Sequence, residues 1–194
     1  QQEILRDIGS DLEMIILEPP ASGWPQLWDQ LARLAKKASK LQVIHALRLG
    51  WAKLVACDRL ERLSLVVRAY EKQKGSTTKT LELALEQIDR ADNVGAVAIA
   101  VREGTDKLNL LPRDPERTVL TVGVVGEIYT VLEPFVNFQL EKQLGEMGVV
   151  ICRQMWLSDW ILHHIVLSGL RLKRTARLYR SAEPYLKHFV GGHG

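Results

Sequence analysis

The sequence predicts an α/β protein in which a doubly wound parallel-sheet unit, of the Rossmann or flavodoxin-like kind, follows a mostly helical first half. Two observations lead to this prediction. Apolar residues recur at helical spacing through most of residues 24–111, whereas Thr118–Val125 and Val149–Cys152 are short apolar runs typical of strands buried on both faces. The change falls at the Pro-rich, charged stretch Pro112–Arg117. We therefore expect a helical region over residues 1–111, with one short strand, and an α/β domain over residues 112–194.

The first half contains one predicted strand and four predicted helices. The strand is the compact apolar run Leu12–Leu17, which Pro19 and Pro20 follow. Helical periodicity predicts helices over about residues 24–38, 41–70, 76–91 and 94–111. We expect a kink near Cys57 in the second helix, Gly75 as its stop and Ser76 as the cap of the third.

The second half alternates strands with helices. The run Thr118–Val125 predicts the first strand, and a helix over about Pro134–Met147 follows, with Gly148 as its stop. Val149–Cys152 predicts the second strand and Leu157–Leu167 a second helix. Because the intervening helix suits one right-handed crossover, we expect the two strands to be adjacent and parallel.

Composition excludes several classes of protein. The 194 residues are 46% hydrophobic and 25% charged, with 26 Lys and Arg against 23 Asp and Glu, which is typical of a folded domain and too balanced for a nucleic-acid protein. The two cysteines, Cys57 and Cys152, do not form a disulfide framework, and no apolar run reaches membrane-spanning length. We expect a cytoplasmic protein that binds neither nucleic acid nor membrane.

The best candidates for a ligand site follow the two strands of the second half. Ligands of open α/β sheets bind beyond the carboxyl ends of the strands, where loops and helix N-termini converge. The candidates in the two loops are Gly126, Glu127, Tyr129, Asn137, Arg153, Ser158 and Asp159. A purely structural interpretation stays open: Gly126 allows a tight strand exit, Glu127 caps a helix, and Ser158 and Asp159 form an N-cap pair.

Other polar motifs carry less information. His163 and His164 are adjacent on a predicted helix, so their side chains diverge and are poorly placed to share a metal. No nucleophile elbow of the G-x-S-x-G kind occurs in the sequence. Five basic residues cluster between Arg171 and Arg180, as a solvated helix face or as a contact for an anionic ligand or partner domain.

Three segments together resemble a known family. They are Tyr70–Gly75 (YEKQKG), Val122–Asn137 (VGVVGEIYTVLEPFVN) and Pro184–Gly194 (PYLKHFVGGHG). In their order and spacing the chain resembles the 2-hydroxyglutaryl-CoA dehydratase D-component-like proteins, also described as CoA-substrate-specific enzyme activases. The resemblance implies a parent protein with a [4Fe-4S] cluster, an ATP-hydrolysing activase as electron donor, and dehydration of a 2-hydroxyacyl-CoA thioester.

The chain departs from this family at the cluster ligands. A four-iron cluster normally takes three or four thiolates, and the sequence has only two distant cysteines. We therefore expect a cluster-free middle segment of a larger protein, inactive in isolation, whose partners are flanking domains of the parent or the activase. Two alternatives stay open, namely a non-catalytic regulatory module that binds a nucleotide or CoA, and a docking scaffold.

Overall fold

The fold was analysed in a computed structural model that describes residue 35 and residues 38–163. The compact unit Ser39–Trp160 holds nearly all of these residues. Several sequence predictions lie outside the described residues, namely the strand at residues 12–17, most of the helix at residues 24–38, the basic cluster at 171–180 and the segment 184–194. The described unit is mostly helical, with a small two-stranded parallel sheet.

Helix α1, Lys40–Tyr70, is 31 residues long. A capping box begins it, in which Gln42 N donates to Ser39 Oγ and Ser39 N donates to Gln42 Oε1. The helix runs through Cys57 without interruption, and a kink at this position stays a prediction. It also ends five residues before Gly75, because Glu71 takes an extended conformation (φ −60°, ψ 136°).

Helices α2, Ser76–Arg90, and α3, Val94–Asn109, pack against α1. Gly75, not Ser76, occupies the cap position of α2, and its φ of +85° is a conformation that favours glycine. Asn93 caps α3 by accepting a hydrogen bond from Ala96 N over 2.9 Å. The helices share an apolar core centred on Leu60, Ala84, Ile88, Val97 and Leu108.

Strands β1, Leu120–Val124, and β2, Val149–Arg153, pair in parallel, with Val122 opposite Ile151. This confirms the predicted pairing. Between the strands lie two short helices, α4, Ile128–Leu132, and α5, Leu140–Glu146, and β2 leads to α6, Leu157–Ile161. The single helix predicted over Pro134–Met147 is therefore wrong in its first half. Residues 134–139 form turns, because Phe138 and Gln139 have φ of +57° and +56°, which a right-handed helix does not allow.

Helix α1 also supports the sheet. Its residue Leu65 forms a second core with Ile151 and Trp156, against which Val122 and Leu144 pack. Because side chains alternate between the two faces of a strand, α1 and α5 cover the same face of the sheet. The predicted divide at residue 112 therefore lies inside one compact unit. Among residues 38–163, no helix has the length and apolar character needed to cross a bilayer.

Candidate functional site

The candidate site lies where the carboxyl end of β2 meets the middle of α1. We define the Arg153 cluster as the charged and aromatic residues that come together there: Asp58, Glu61, Arg62, Glu141, Arg153, Trp156 and Asp159. They belong to α1, α5, β2, α6 and the loop that joins β2 to α6. Four of the elements of the unit therefore position one set of side chains.

Arg153 is the centre of this cluster. Its Nε donates to Glu141 Oε1 over 2.8 Å, its Nη2 donates to Glu141 Oε2, and its Nη1 donates to Glu61 Oε2 over 3.0 Å. The side chain is only 8% exposed. The guanidinium thus donates two hydrogen bonds to one carboxylate and one to a second carboxylate. Charge-assisted hydrogen bonds of this kind are strong and fix the position of a buried arginine. Arg153 is therefore already neutralised by the chain itself.

Burial and charge act on the ionisation of this group in opposite directions. Burial by itself lowers the pKa of Arg153, but the hydrogen bonds and charges of Glu141 and Glu61 outweigh it, so the pKa lies above its ordinary value. Burial raises the pKa of Glu61, because desolvation of this carboxylate exceeds the attraction of Arg153. Burial thus makes the Glu61 carboxylate easier to protonate than a free glutamate.

Trp156 packs under two guanidinium groups. The Cζ atoms of Arg62 and Arg153 lie 4.5 and 4.4 Å from the centroid of its ring, within the range of cation–π attraction. Its indole Nε1 donates to the carbonyl oxygen of Arg153 over 3.2 Å. Because Trp156 is buried and its polar atom is satisfied, it acts here as a packing residue.

The start of α6 is capped from α1. The backbone N–H of Ser158 donates to Asp58 Oδ2 over 2.9 Å in a buried contact, and Asp159 pairs with Arg62 over 2.6 Å. A carboxylate at a helix N-terminus occupies the position that a phosphate of a ligand would take. The N–H group at Ser158 therefore already has an acceptor.

The loop after β1 has its own local partners. Glu127 caps α4 by accepting from Thr130 N over 3.0 Å, and this hydrogen bond is the main reason that the pKa of Glu127 lies below its ordinary value. Asn137 Nδ2 donates to Val131 O over 2.9 Å, and Leu140 N donates to Asn137 Oδ1 over 3.3 Å. Asn137 thereby joins the end of α4 to the start of α5.

The structure separates the predicted site residues into two groups. Arg153, Ser158 and Asp159 are held against α1. Gly126, Glu127, Tyr129 and Asn137 instead surround α4, where Tyr129 is 63% exposed and a methyl group at Gly126 would lie 3.1 Å from Val131. The loops do leave the same end of the sheet, since Gln154 N donates to Val124 O over 3.3 Å. Whether a ligand binds there stays a prediction.

Sequence reasoning missed the α1 side of the cluster. Asp58, Glu61 and Arg62 recur at helical spacing, and Leu65 continues the same face. The sequence could have revealed this face of the helix, because its charged residues are three and four positions apart. Its partners were not, because they lie about a hundred positions further along the chain.

Glu71 is a buried carboxylate whose partners the sequence analysis did not identify. It lies in the Tyr70–Gly75 segment, is 2% exposed, and accepts hydrogen bonds from Gly75 N (2.8 Å), Thr77 N (2.8 Å) and Ser76 Oγ (3.1 Å). Burial by itself raises the pKa of Glu71, but these hydrogen bonds outweigh it, and the pKa lies below its ordinary value. Glu71 therefore provides the negative charge that the N-terminus of α2 favours.

The donor set of the chain does not fit a four-iron cluster. Cys57 lies on α1 and Cys152 on β2, both half-buried, and burial raises the pKa of the Cys57 thiol. Within residues 38–163, no three His, Cys, Asp or Glu side chains are grouped so that they could hold a metal ion. Two thiolates are fewer than such a cluster takes.

Comparison with known proteins adds no further constraint. No family model, curated protein or solved structure matches the chain. The geometry of the site therefore carries the functional argument.

Proposed function

We propose that the chain is a scaffold segment of a 2-hydroxyacyl-CoA dehydratase-like or activase-related protein of the cytoplasm. In this proposal it holds together an α/β domain of the parent, and residues outside the chain provide the iron–sulfur ligands and the CoA thioester chemistry. The sequence resemblance supports the parent class. The parallel strand–helix–strand unit supports the α/β architecture that this class requires.

The hydrogen bonds of Arg153 favour a scaffold over a ligand site, because Glu61 and Glu141 already accept from its three guanidinium nitrogens. A phosphate-binding arginine must offer free N–H groups to its ligand. Arg153 instead makes three hydrogen bonds to Glu61 and Glu141 at 8% side-chain exposure. An incoming phosphate would have to displace carboxylates from a buried site, at the cost of leaving them without a counter-charge.

Titration of the whole 194-residue chain with CoA, ATP and ADP tests this proposal. Backbone amide shifts are followed by NMR, and the scaffold function predicts no ligand-dependent shifts at residues 126–130 and 153–160. Saturable shifts in both segments would contradict it and support the alternative, a regulatory module that binds a nucleotide or CoA. Tyr129 and Glu127, which are exposed, are the residues through which that alternative would act.

The scaffold proposal includes a doubly wound sheet that continues beyond β1. The N–H and C=O groups of successive strand residues point to alternate edges, and Val124 O faces β2 because it accepts from Gln154 N. The N–H and C=O groups of Thr121 and Gly123 therefore point to the edge of β1 that faces away from β2. The strand LTVGV has no charge or proline, the usual protections of a free edge.

Hydrogen exchange distinguishes a continued sheet from a sheet that ends at β1. If a further strand pairs with β1, the amide protons of Thr121 and Gly123 exchange as slowly as that of Val122, which faces β2. Fast exchange at Thr121 and Gly123, with slow exchange at Val122, would show that the sheet ends at β1 in this chain.

A further inference from the structure

We propose that the first half of α1 is a docking surface for an acidic amphipathic helix of a partner protein. The surface is a stripe of apolar residues, which we call the α1 stripe: Leu41, Ile44, Leu47, Trp51 and Val55. This proposal is independent of the proposed scaffold function, because it concerns the end of α1 that lies before the Arg153 cluster.

The α1 stripe is exposed along its length. Its five side chains are between 37% and 79% exposed, with Trp51 and Leu41 at the two limits. Their spacing of three, three, four and four residues places them on one face of the helix. Leu49, Ala52 and Ala56 lie on a different face, which packs into the core shared with α2 and α3. The stripe therefore does not serve the packing of these three helices.

The charged residues on the part of α1 that carries the stripe have one sign. From Lys40 to Cys57 the helix contains no Asp or Glu and three basic residues, Lys40, Arg48 and Lys53. Lys40 and Arg48 are exposed, and neither forms an ion pair with another residue in the described part of the chain. A partner that brings carboxylates to the rim of the stripe would be complementary to it.

The position of Arg48 favours a protein helix over a bilayer or a second copy of the chain. Arg48 follows Ile44 by four residues and precedes Trp51 by three, so it lies within the apolar stripe. A bilayer surface would have to admit this charge into the apolar side of the helix. A second copy paired along the stripe, in either direction, would place Arg48 against the Arg48 of the other copy. An acidic amphipathic helix instead pairs its carboxylates with Lys40 and Arg48 while its apolar face covers Trp51, as in the recognition of amphipathic helices by apolar surfaces.

A designed peptide tests the proposal on the full chain. The probe is a fluorescent synthetic helix with Leu at the a and d positions and Glu at e and g, and the matched probes carry Gln or Lys in place of Glu. We expect the Glu peptide to bind, and to bind about tenfold or more tightly than the Gln peptide. The substitutions Trp51→Ala and Arg48→Glu are expected to weaken binding about tenfold each.

Two variants control the experiment. Ile99→Ala removes an exposed apolar side chain of α3 outside the stripe, and it should leave binding unchanged. The double variant Lys40→Glu, Arg48→Glu should bind the Lys peptide in preference to the Glu peptide, which a variant that merely misfolds cannot do. Far-UV circular dichroism shows that each variant keeps its helix content.

Other results overturn the proposal. Absence of binding, equal affinity for the three peptides, or affinity that the stripe variants do not change would each refute it. Sedimentation of the chain with phosphatidylserine vesicles, lost in Trp51→Ala, would assign the stripe to a membrane surface. A dimer in analytical ultracentrifugation that Trp51→Ala dissociates would assign it to a second copy.

Discussion

Arg153, the last residue of β2, donates a hydrogen bond from Nη1 to Glu61 Oε2 in the middle of α1, over 3.0 Å. The two residues are 92 positions apart in the sequence. The same guanidinium binds Glu141 on α5 with its other two nitrogens. One side chain therefore connects the long helix, the crossover and the sheet. Its loss should affect the stability of the whole unit.

The substitution Arg153→Met tests this connection. It keeps most of the apolar stem but leaves Glu141, whose side chain is 12% exposed, without its counter-charge. We expect the free energy of unfolding to fall by about 3 kcal/mol, measured by urea denaturation. Arg90→Met is the matched control, because the pair of Arg90 with Glu86 is exposed and contributes less than about 1 kcal/mol. Equal losses of unfolding free energy in the two variants would contradict the conclusion that Arg153 connects α1, the crossover and the sheet.

Glu71 makes the stability of the unit depend on pH. Because its pKa is lower in the folded chain than in the unfolded chain, its contribution is present above the unfolded value, about 4.3, and is lost as the pH falls through the folded value. Glu71→Gln should lower the free energy of unfolding at neutral pH by about 1–3 kcal/mol. It should also flatten the loss of stability on acidification. Urea denaturation at a series of pH values measures both effects.

Glu127→Gln serves as the comparison for Glu71→Gln. Glu127 also caps a helix and also has a lowered pKa, but it is fully exposed. We expect a smaller loss at neutral pH and a smaller change in the acid profile. If the two variants gave the same profile, burial of Glu71 would not be the cause of its effect.

Two glycines on helices should respond in opposite directions to alanine. A methyl group at Gly104 on α3 would lie 2.8 Å from Ala84 Cβ and 3.1 Å from Leu60 Cδ1, so α2 and α3 would have to separate. Gly104→Ala should destabilise the fold by about 1 kcal/mol or more. Gly50→Ala on α1 meets nothing within 4 Å and should stabilise it by about 0.5–1 kcal/mol. Thermal unfolding followed by circular dichroism compares the two variants.

The number and placement of the cysteines predict that the chain does not assemble an iron–sulfur cluster. Anaerobic incubation with iron and sulfide should leave no stoichiometric cluster, because Cys57 and Cys152 are two thiols on different elements. Iron and sulfide analysis and the visible charge-transfer band measure the product. The double variant Cys57→Ser, Cys152→Ser sets the background of loosely bound iron. A band that appears in the natural sequence and disappears in this variant would refute the prediction.

Local features of this fold could be predicted from the sequence. The β-branched runs before Gly126 and at Val149 specify strands, and the helix-containing crossover between them is long enough for parallel pairing. The left-handed glycine Gly148 ends the helix before β2, and Glu127 caps α4. For the strand segments and the two helix ends, the signal and the structure that it specifies lie within a few residues, so backbone preferences and short-range hydrogen bonds decide the outcome.

Only the tertiary structure decided how these elements form a site. Asp58 and Glu61 are ordinary charged positions in the sequence of α1, and they acquire partners because the sheet packs Ser158 and Arg153 onto that face of the helix. The left-handed conformation of Phe138 and Gln139 likewise has no local signal, since neither residue favours positive φ. A contact across about a hundred residues depends on which helix face meets the sheet, and packing of the whole unit determines that choice.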